Sequence, residues 1–132
     1  MSWGKPGRKP VHTLGVKVEL LEDPGDAGVI ASVTWNTVRL RCGAGAESRV
    51  LGPPNFIGQE LTLVLEETAG GAITVTCGQA FDQNSHTQAV LAAGGDSVRL
   101  IGAGQVDPDL GVLSGGVPAW RLLVVDGATL GP

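Results

Sequence analysis

Tyrosine is absent from this 132-residue chain, aromatic residues make up only 4% of it, and charged residues make up 17%. Soluble proteins usually carry about a quarter charged residues. With so few aromatics, the core must be built from Val, Leu, Ile and Ala. A sparsely charged surface favours burial against another protein, often a copy of the same chain. The alternative is a compact monomer with a surface of Gly, Ser, Thr and Gln.

Long apolar runs are also missing. No segment reaches the roughly 18 apolar residues needed to cross a bilayer, so no membrane association is expected. The first residues, MSWGKPGRKP, have no apolar stretch behind them, so they do not form a signal peptide, and synthesis in a cytoplasm is expected.

Charge is divided unevenly along the chain. Residues 1–12 carry Lys5, Arg8 and Lys9 and no acid, a charge of +3, while the remainder carries −7. Nucleic-acid binding requires a basic face that displaces counterions from phosphates. The acidic body therefore argues against direct nucleic-acid binding.

Recognisable catalytic motifs are absent as well. The chain has two histidines, His12 and His86, and no G-x-S-x-G sequence. Two Gly-Ala-Gly segments, residues 43–45 and 102–104, follow predicted strands but lack the third glycine and the helix of a dinucleotide-binding loop. The sequence thus predicts a protein that is not an enzyme and has no cofactor.

Metal and disulfide chemistry have little support. Asp82, Asn84 and His86 alternate as three ligands could, but the further oxygen ligands of a calcium loop are missing, so a plain polar loop is favoured and no metal is expected. Cys42 and Cys77 both end predicted strands. In a reducing compartment, two buried thiols are favoured over a disulfide between them.

What the chain does contain is short apolar runs separated by turns, with 21 glycines and 8 prolines. Leu14, Val16, Val18 and Leu20 alternate with polar residues, which is typical of a half-buried strand. Residues 103–118 form the longest predicted loop, and Ser85–Ala93 is the one stretch that could turn helically. The further predicted strands are Val29–Trp35, Thr37–Cys42, Leu61–Glu66, Ala72–Cys77, Gln88–Leu91, Ser97–Ile101 and Trp120–Val125.

This pattern predicts an all-β fold over residues 13–132: an antiparallel β-sandwich or small barrel, jelly-roll-like. Residues 1–12, with Gly4, Pro6, Gly7 and Pro10, are predicted to be an extended, flexible N-terminal arm.

From about Thr37 to Leu130, the order of strands and turns resembles phage virion structural proteins, both fibre modules and head-decoration (cement) proteins. The resemblance rests on TVRLRC, LGPP, Gly58 with LTLVLEE, Gly70-Gly71 with ITVT, GGDSVRLIGAG and the closing AWRLLVVDGATL. The chain begins at Met and has no fibre shaft, which favours a decoration protein over a fibre module.

The resemblance implies a homotrimer that binds the major capsid protein and stabilises an icosahedral phage head from the virion surface. Trp3, Lys5, Arg8 and Lys9 are then candidates for a capsid-binding arm. Trp120 and Arg121 are candidates for the subunit interface, although Trp120 could equally be core packing. The alternative function is a cellular β-sandwich module that binds carbohydrate or protein.

Overall fold

A computed structural model describes residues 18–31, 35–104 and 118–132, and in these ranges it contains ten strands and no helix. The strands are β1 (Val18–Glu22), β2 (Gly28–Ile30), β3 (Trp35–Cys42), β4 (Glu47–Leu51), β5 (Glu60–Thr68), β6 (Ile73–Cys77), β7 (Gln88–Leu91), β8 (Ser97–Ala103), β9 (Ala119–Asp126) and β10 (Thr129–Gly131). The predicted all-β class is therefore confirmed.

The strands form two mixed five-stranded sheets. Sheet A has the order β1-β3-β5-β8-β9, and sheet B has the order β10-β7-β6-β4-β2. From β1 to β6 the chain alternates between the two sheets. From β3 onward, each of these strands lies beside the previous strand of its own sheet and runs in the same direction as that strand. As a result β1, β3 and β5 are parallel, and so are β2, β4 and β6.

The prediction that the strands are antiparallel is wrong for this first part of the chain. It holds only for the pairs that involve β7, β8, β9 and β10. The physical reason is that period-2 alternation reports which side chains face inward, not the direction of the neighbouring strand.

One apolar cluster draws on both sheets. Val38, Leu40, Leu61, Leu63 and Leu65 of sheet A are at most 1% exposed. Ile73 and Leu91 of sheet B, both 0% exposed, belong to the same cluster. Each such side chain contributes about 1.5–3 kcal/mol by leaving water. The core is mainly aliphatic, as the scarcity of aromatic residues predicted, and Phe81 and Trp120 also belong to it.

Several predicted elements differ in the structure. Ser85–Ala93 is not helical, because Gln88–Leu91 forms strand β7. The predicted strand Val29–Trp35 is interrupted: β2 ends at Ile30, and Trp35 begins β3. Strands β4 and β10 were not predicted. The arm, residues 1–12, and most of the predicted loop, residues 105–117, lie outside the described residues.

A β-bulge changes the register of the last long strand. Leu100 pairs with Leu122 and Arg99 with Val124, so Leu123 is an extra residue in β9. Strict alternation would place Val124 on the same face as Trp120, but the bulge turns Val124 outward, where it is 51% exposed. Val125 packs against the core instead.

Candidate functional site

The outward face of sheet B has no charged side chain among the described residues. Inward positions of these strands are identified by their burial: Ile30, Leu51, Val75 and Ala89 are at most 5% exposed. The positions that alternate with them point away from the core. We call this surface the uncharged face; its side chains are Val29, Ser48, Val50, Thr74, Thr76, Gln88, Val90 and Thr129.

Strand register arranges these side chains in rows across the sheet. Val29 is paired with Val50, and Val50 with Thr76 on the next strand. Val29 is 57% exposed and Val50 is 47% exposed. Val50 lies near the end of β4, just before the loop at residues 52–59. The apolar part of the uncharged face is thus at the edge of the sheet, close to that loop.

Charge in sheet B is directed inward instead. Arg49 of β4 is only 1% exposed, and its Nε and Nη2 donate to the two carboxylate oxygens of Asp23 at 2.6 and 2.7 Å. The same Nη2 donates to Glu47 at 3.0 Å and to the Arg41 carbonyl at 3.1 Å. The bidentate geometry satisfies the guanidinium inside the protein.

Asp23 connects three parts of the chain through this cluster. Besides Arg49, it accepts hydrogen bonds from the backbone N–H of Arg41 and of Gly25. Burial acts to raise the pKa of Asp23, but these hydrogen bonds, led by that of Arg49, lower it below its ordinary value. The cluster therefore anchors the β1–β2 connection to β3 and β4 as a structural ion pair.

A cavity of about 250 Å³ opens where the loop at residues 52–59 meets the start of β9. We call it the loop pocket. Among the residues that the structure describes, those that line it carry no charge: Leu51, Pro53, Pro54, Cys77, Gly78, Gln79, Pro118, Ala119 and Trp120. It is slightly smaller than the 300–1,000 Å³ typical of small-molecule sites. A pocket of this size suits one apolar side chain.

Trp120 forms part of this pocket and of the core. It is 3% exposed, and its indole Nε1 donates to the Gly52 carbonyl at 2.7 Å. Arg121, the other residue predicted at an interface, is exposed, and its guanidinium lies 3.4 Å from the Ala80 carbonyl. The predicted arm residues Trp3, Lys5, Arg8 and Lys9 lie outside the described residues.

The alternating Asp82, Asn84 and His86 form a closed turn. One carboxylate oxygen of Asp82 accepts the backbone N–H groups of Asn84 and His86, and the other lies 2.6 Å from His86 Nδ1. Desolvation acts to raise the pKa of Asp82, but the hydrogen bonds from His86 and the two amides lower it. Asp82 thus orders the loop.

Within the described ranges, no group of three or more His, Cys, Asp or Glu side chains is close enough to hold a metal ion. Nor does this part of the chain contain a helix long and apolar enough to span a membrane.

Both thiols are free and buried. Cys42 ends β3 beside the turn into β4, and Cys77 ends β6 at the loop pocket. Because the start of β4 pairs with the start of β6, these strand ends lie at opposite ends of the sheets. Burial raises the pKa of both thiols.

No family model, no curated protein and no solved structure matches this chain. Neither the uncharged face nor the loop pocket was predicted from the sequence. The face had a readable signal, because strands β6, β7 and β10 contain no charged residue at all. The pocket had none, since its walls come from segments far apart in the chain.

Proposed function

We propose that this protein is a non-enzymatic structural subunit that works by self-association, with the uncharged face as part of the contact between copies. The observation that carries the proposal is the outward face of sheet B, which combines exposed Val29 and Val50 with neutral polar side chains. Such a face can be buried in a contact without leaving an unpaired charge there, so the free-energy cost of removing it from water is low.

The particular role we propose is that of a head-decoration protein: a homotrimer that binds the major capsid protein and sits on the virion surface. The resemblance of residues 37–130 to phage virion proteins supports this role. We also propose that the two sheets form a jelly-roll-like sandwich. The core cluster, which both sheets line, supports this arrangement. A protein that binds only the assembled head stabilises it by mass action.

The first experiment measures molar mass in solution by light scattering and sedimentation. The wild-type chain is expected at three times its monomer mass. Val50→Lys places a charge in the contact and is expected to weaken association by about tenfold or more. The matched control is Val124→Lys, since Val124 is also in a strand and is 51% exposed against 47% for Val50.

The control variant is expected to keep the wild-type mass, because Val124 lies on sheet A. A wild-type monomer at all concentrations would contradict the proposal. That outcome would favour the alternative function, a binding module of β-sandwich type, with the loop pocket as its site. Equal masses for the wild type and Val50→Lys would remove the uncharged face from the contact.

A second experiment tests the arm. Deletion of residues 1–12 removes Lys5, Arg8 and Lys9 and is expected to leave the melting temperature nearly unchanged. It should weaken co-sedimentation with phage heads assembled without this protein, and the difference should shrink as salt is raised. Undiminished co-sedimentation after the deletion would exclude the arm from capsid binding.

A further inference from the structure

Two exposed apolar side chains stand at the tip of the loop that forms one wall of the loop pocket. Phe56 is 41% exposed and Ile57 is 62% exposed. Among the large hydrophobic side chains that the structure describes as exposed, these two alone lie outside strands. We call them the apolar tip. A pair of adjacent exposed apolar side chains on a loop is a candidate contact site.

The backbone holds this tip in one conformation. Gly58 N–H donates to the Gly102 carbonyl at 2.8 Å, and Gly58 has a φ of +95°, which favours glycine. Gln59, which is fully buried, accepts the Asn55 N–H through its side-chain oxygen at 2.5 Å. Because the loop is ordered before it meets a partner, little conformational entropy is lost on binding.

Gly102 allows the loop to approach strand β8 this closely. A Cβ at Gly102 would lie 2.5 Å from the Phe56 carbonyl oxygen and 2.9 Å from Pro54 Cβ. The glycine therefore lets the loop backbone rest directly on the strand. Both the pocket wall at Pro54 and the apolar tip depend on this contact.

The apolar tip and the loop pocket are two different surfaces that neighbour each other on one end of the subunit. Ile57 is not in the pocket of its own chain, since it is mostly exposed. In a closed ring of copies, each contact joins two different patches, one from each neighbour. When the two patches lie close together on one subunit, the contact between adjacent subunits must lie close to the symmetry axis.

We propose that Ile57 of one copy inserts into the loop pocket of the next, which places the loop end of each subunit near the axis of the trimer. This inference rests on the proposed self-association and names its central contact. The described lining of the pocket carries no charge, and its volume of about 250 Å³ suits one apolar side chain. Pro53, Pro54 and Trp120 are rigid groups, so little conformational entropy is lost when the pocket is filled.

The first test compares Ile57→Asp with Val124→Asp by sedimentation velocity over a range of concentrations. Ile57→Asp is expected to weaken trimer formation by about 10- to 100-fold, because it would bury an unpaired carboxylate. Val124→Asp should associate like the wild type. Circular dichroism and melting temperature should be close to wild type for both variants, since both side chains are exposed.

The second test uses disulfide trapping and does not depend on weakening the contact. Both the test pair and the control pair carry Cys77→Ala, which removes the native thiol of the pocket lining. In the test pair, Ile57→Cys is combined with Gln79→Cys, because Gln79 is an exposed residue of that lining. Oxidation is expected to give covalent dimers and trimers on a non-reducing gel. The control pair, Ile57→Cys with Val124→Cys, should remain uncross-linked. Formation of a disulfide within one chain would overturn the inference.

The two proposals fail in different ways. A wild-type monomer contradicts self-association itself. The other result is a trimer that persists in Ile57→Asp and gives no cross-link between positions 57 and 79. This result would leave self-association standing but refute the contact between Ile57 and the loop pocket.

Discussion

The outward side of sheet A carries charges of both signs, whereas the outward side of sheet B carries none among the described residues. On sheet A, Arg39 and Arg41 both reach Glu66, at 3.1 and 3.0 Å, and Arg99 reaches Glu60 at 2.5 Å. These arginines are at least 51% exposed, so the pairs are screened by water and contribute little stability. Their main effect is to keep this face solvated.

Sheet B places its charged pair on the opposite side. Arg49 and Glu47 point inward, and Arg49 is satisfied by Asp23 within the protein. The few charged side chains thus have different effects in the two sheets: those on sheet A keep its outward side solvated, and those in sheet B anchor the β1–β2 connection. The outward side of sheet B is thereby left free for contact.

The largest expected effect concerns the residue that joins the two sheets. Trp120→Ala removes a buried side chain of sheet A and its hydrogen bond to Gly52, which follows β4 of sheet B. We expect a loss of about 3–5 kcal/mol in the free energy of unfolding, measured by urea denaturation. Trp120→Phe should cost less, since most of the packing remains. A folded, stable Trp120→Ala variant with wild-type midpoint would show that the sheets do not depend on this contact.

The comparison between buried and exposed arginine is tested directly by matched substitutions. Arg49→Met leaves Asp23 and Glu47 without their cation inside the protein, and we expect it to cost about 3–5 kcal/mol. Arg99→Met on the outer face of sheet A should cost at most about 1 kcal/mol. Chemical denaturation of both variants at low and high salt measures the difference. Equal costs would contradict the distinction between the two sheets.

Acid should affect the buried cluster through Asp23. The pKa of this carboxyl is lowered in the folded state from its ordinary 3.8. A lowered folded pKa means that the stabilisation is fully present above the unfolded value and is lost as pH falls through the folded value. Asp82 acts in the same direction.

The measurement is the free energy of unfolding between about pH 5 and pH 2. We expect it to fall in the wild type below about pH 4, and to fall less steeply in Asp82→Asn, which lacks one of the two carboxyls. A stability that rises as pH is lowered over this range would contradict the assignment.

The smallest effect concerns the turn that enters sheet B. Ala27 has a φ of +63°, a conformation that costs a residue with a Cβ more than it costs glycine. Ala27→Gly is therefore expected to raise the free energy of unfolding by about 0.5 kcal/mol. The control is Ala44→Gly in the exposed turn before β4, which should lower it slightly. Thermal melts of both variants check the sign of each change.

Much of the strand content could be read from local patterns. Alternation indicated β5, β6 and β8 because inward and outward residues differ in type along them. Strand β4 was missed because an arginine occupies one of its inward positions, and alternation treats Arg49 as a surface residue. The outward orientation of Val124 could not be predicted, because a β-bulge depends on how two strands pair and cannot be recognised in the sequence of one strand.

The all-β class, the mainly aliphatic core and the sparse charge could all be read from the order of the amino acids. These properties follow from composition and from short-range alternation, which need no knowledge of the partner strand. Three features emerge only in the folded chain: the first six strands run parallel within their sheets, Arg49 is buried, and Ile57 lies beside a pocket. Each of these depends on contacts between segments distant in the chain, since strand direction, charge pairing and cavity walls are set by what packs alongside.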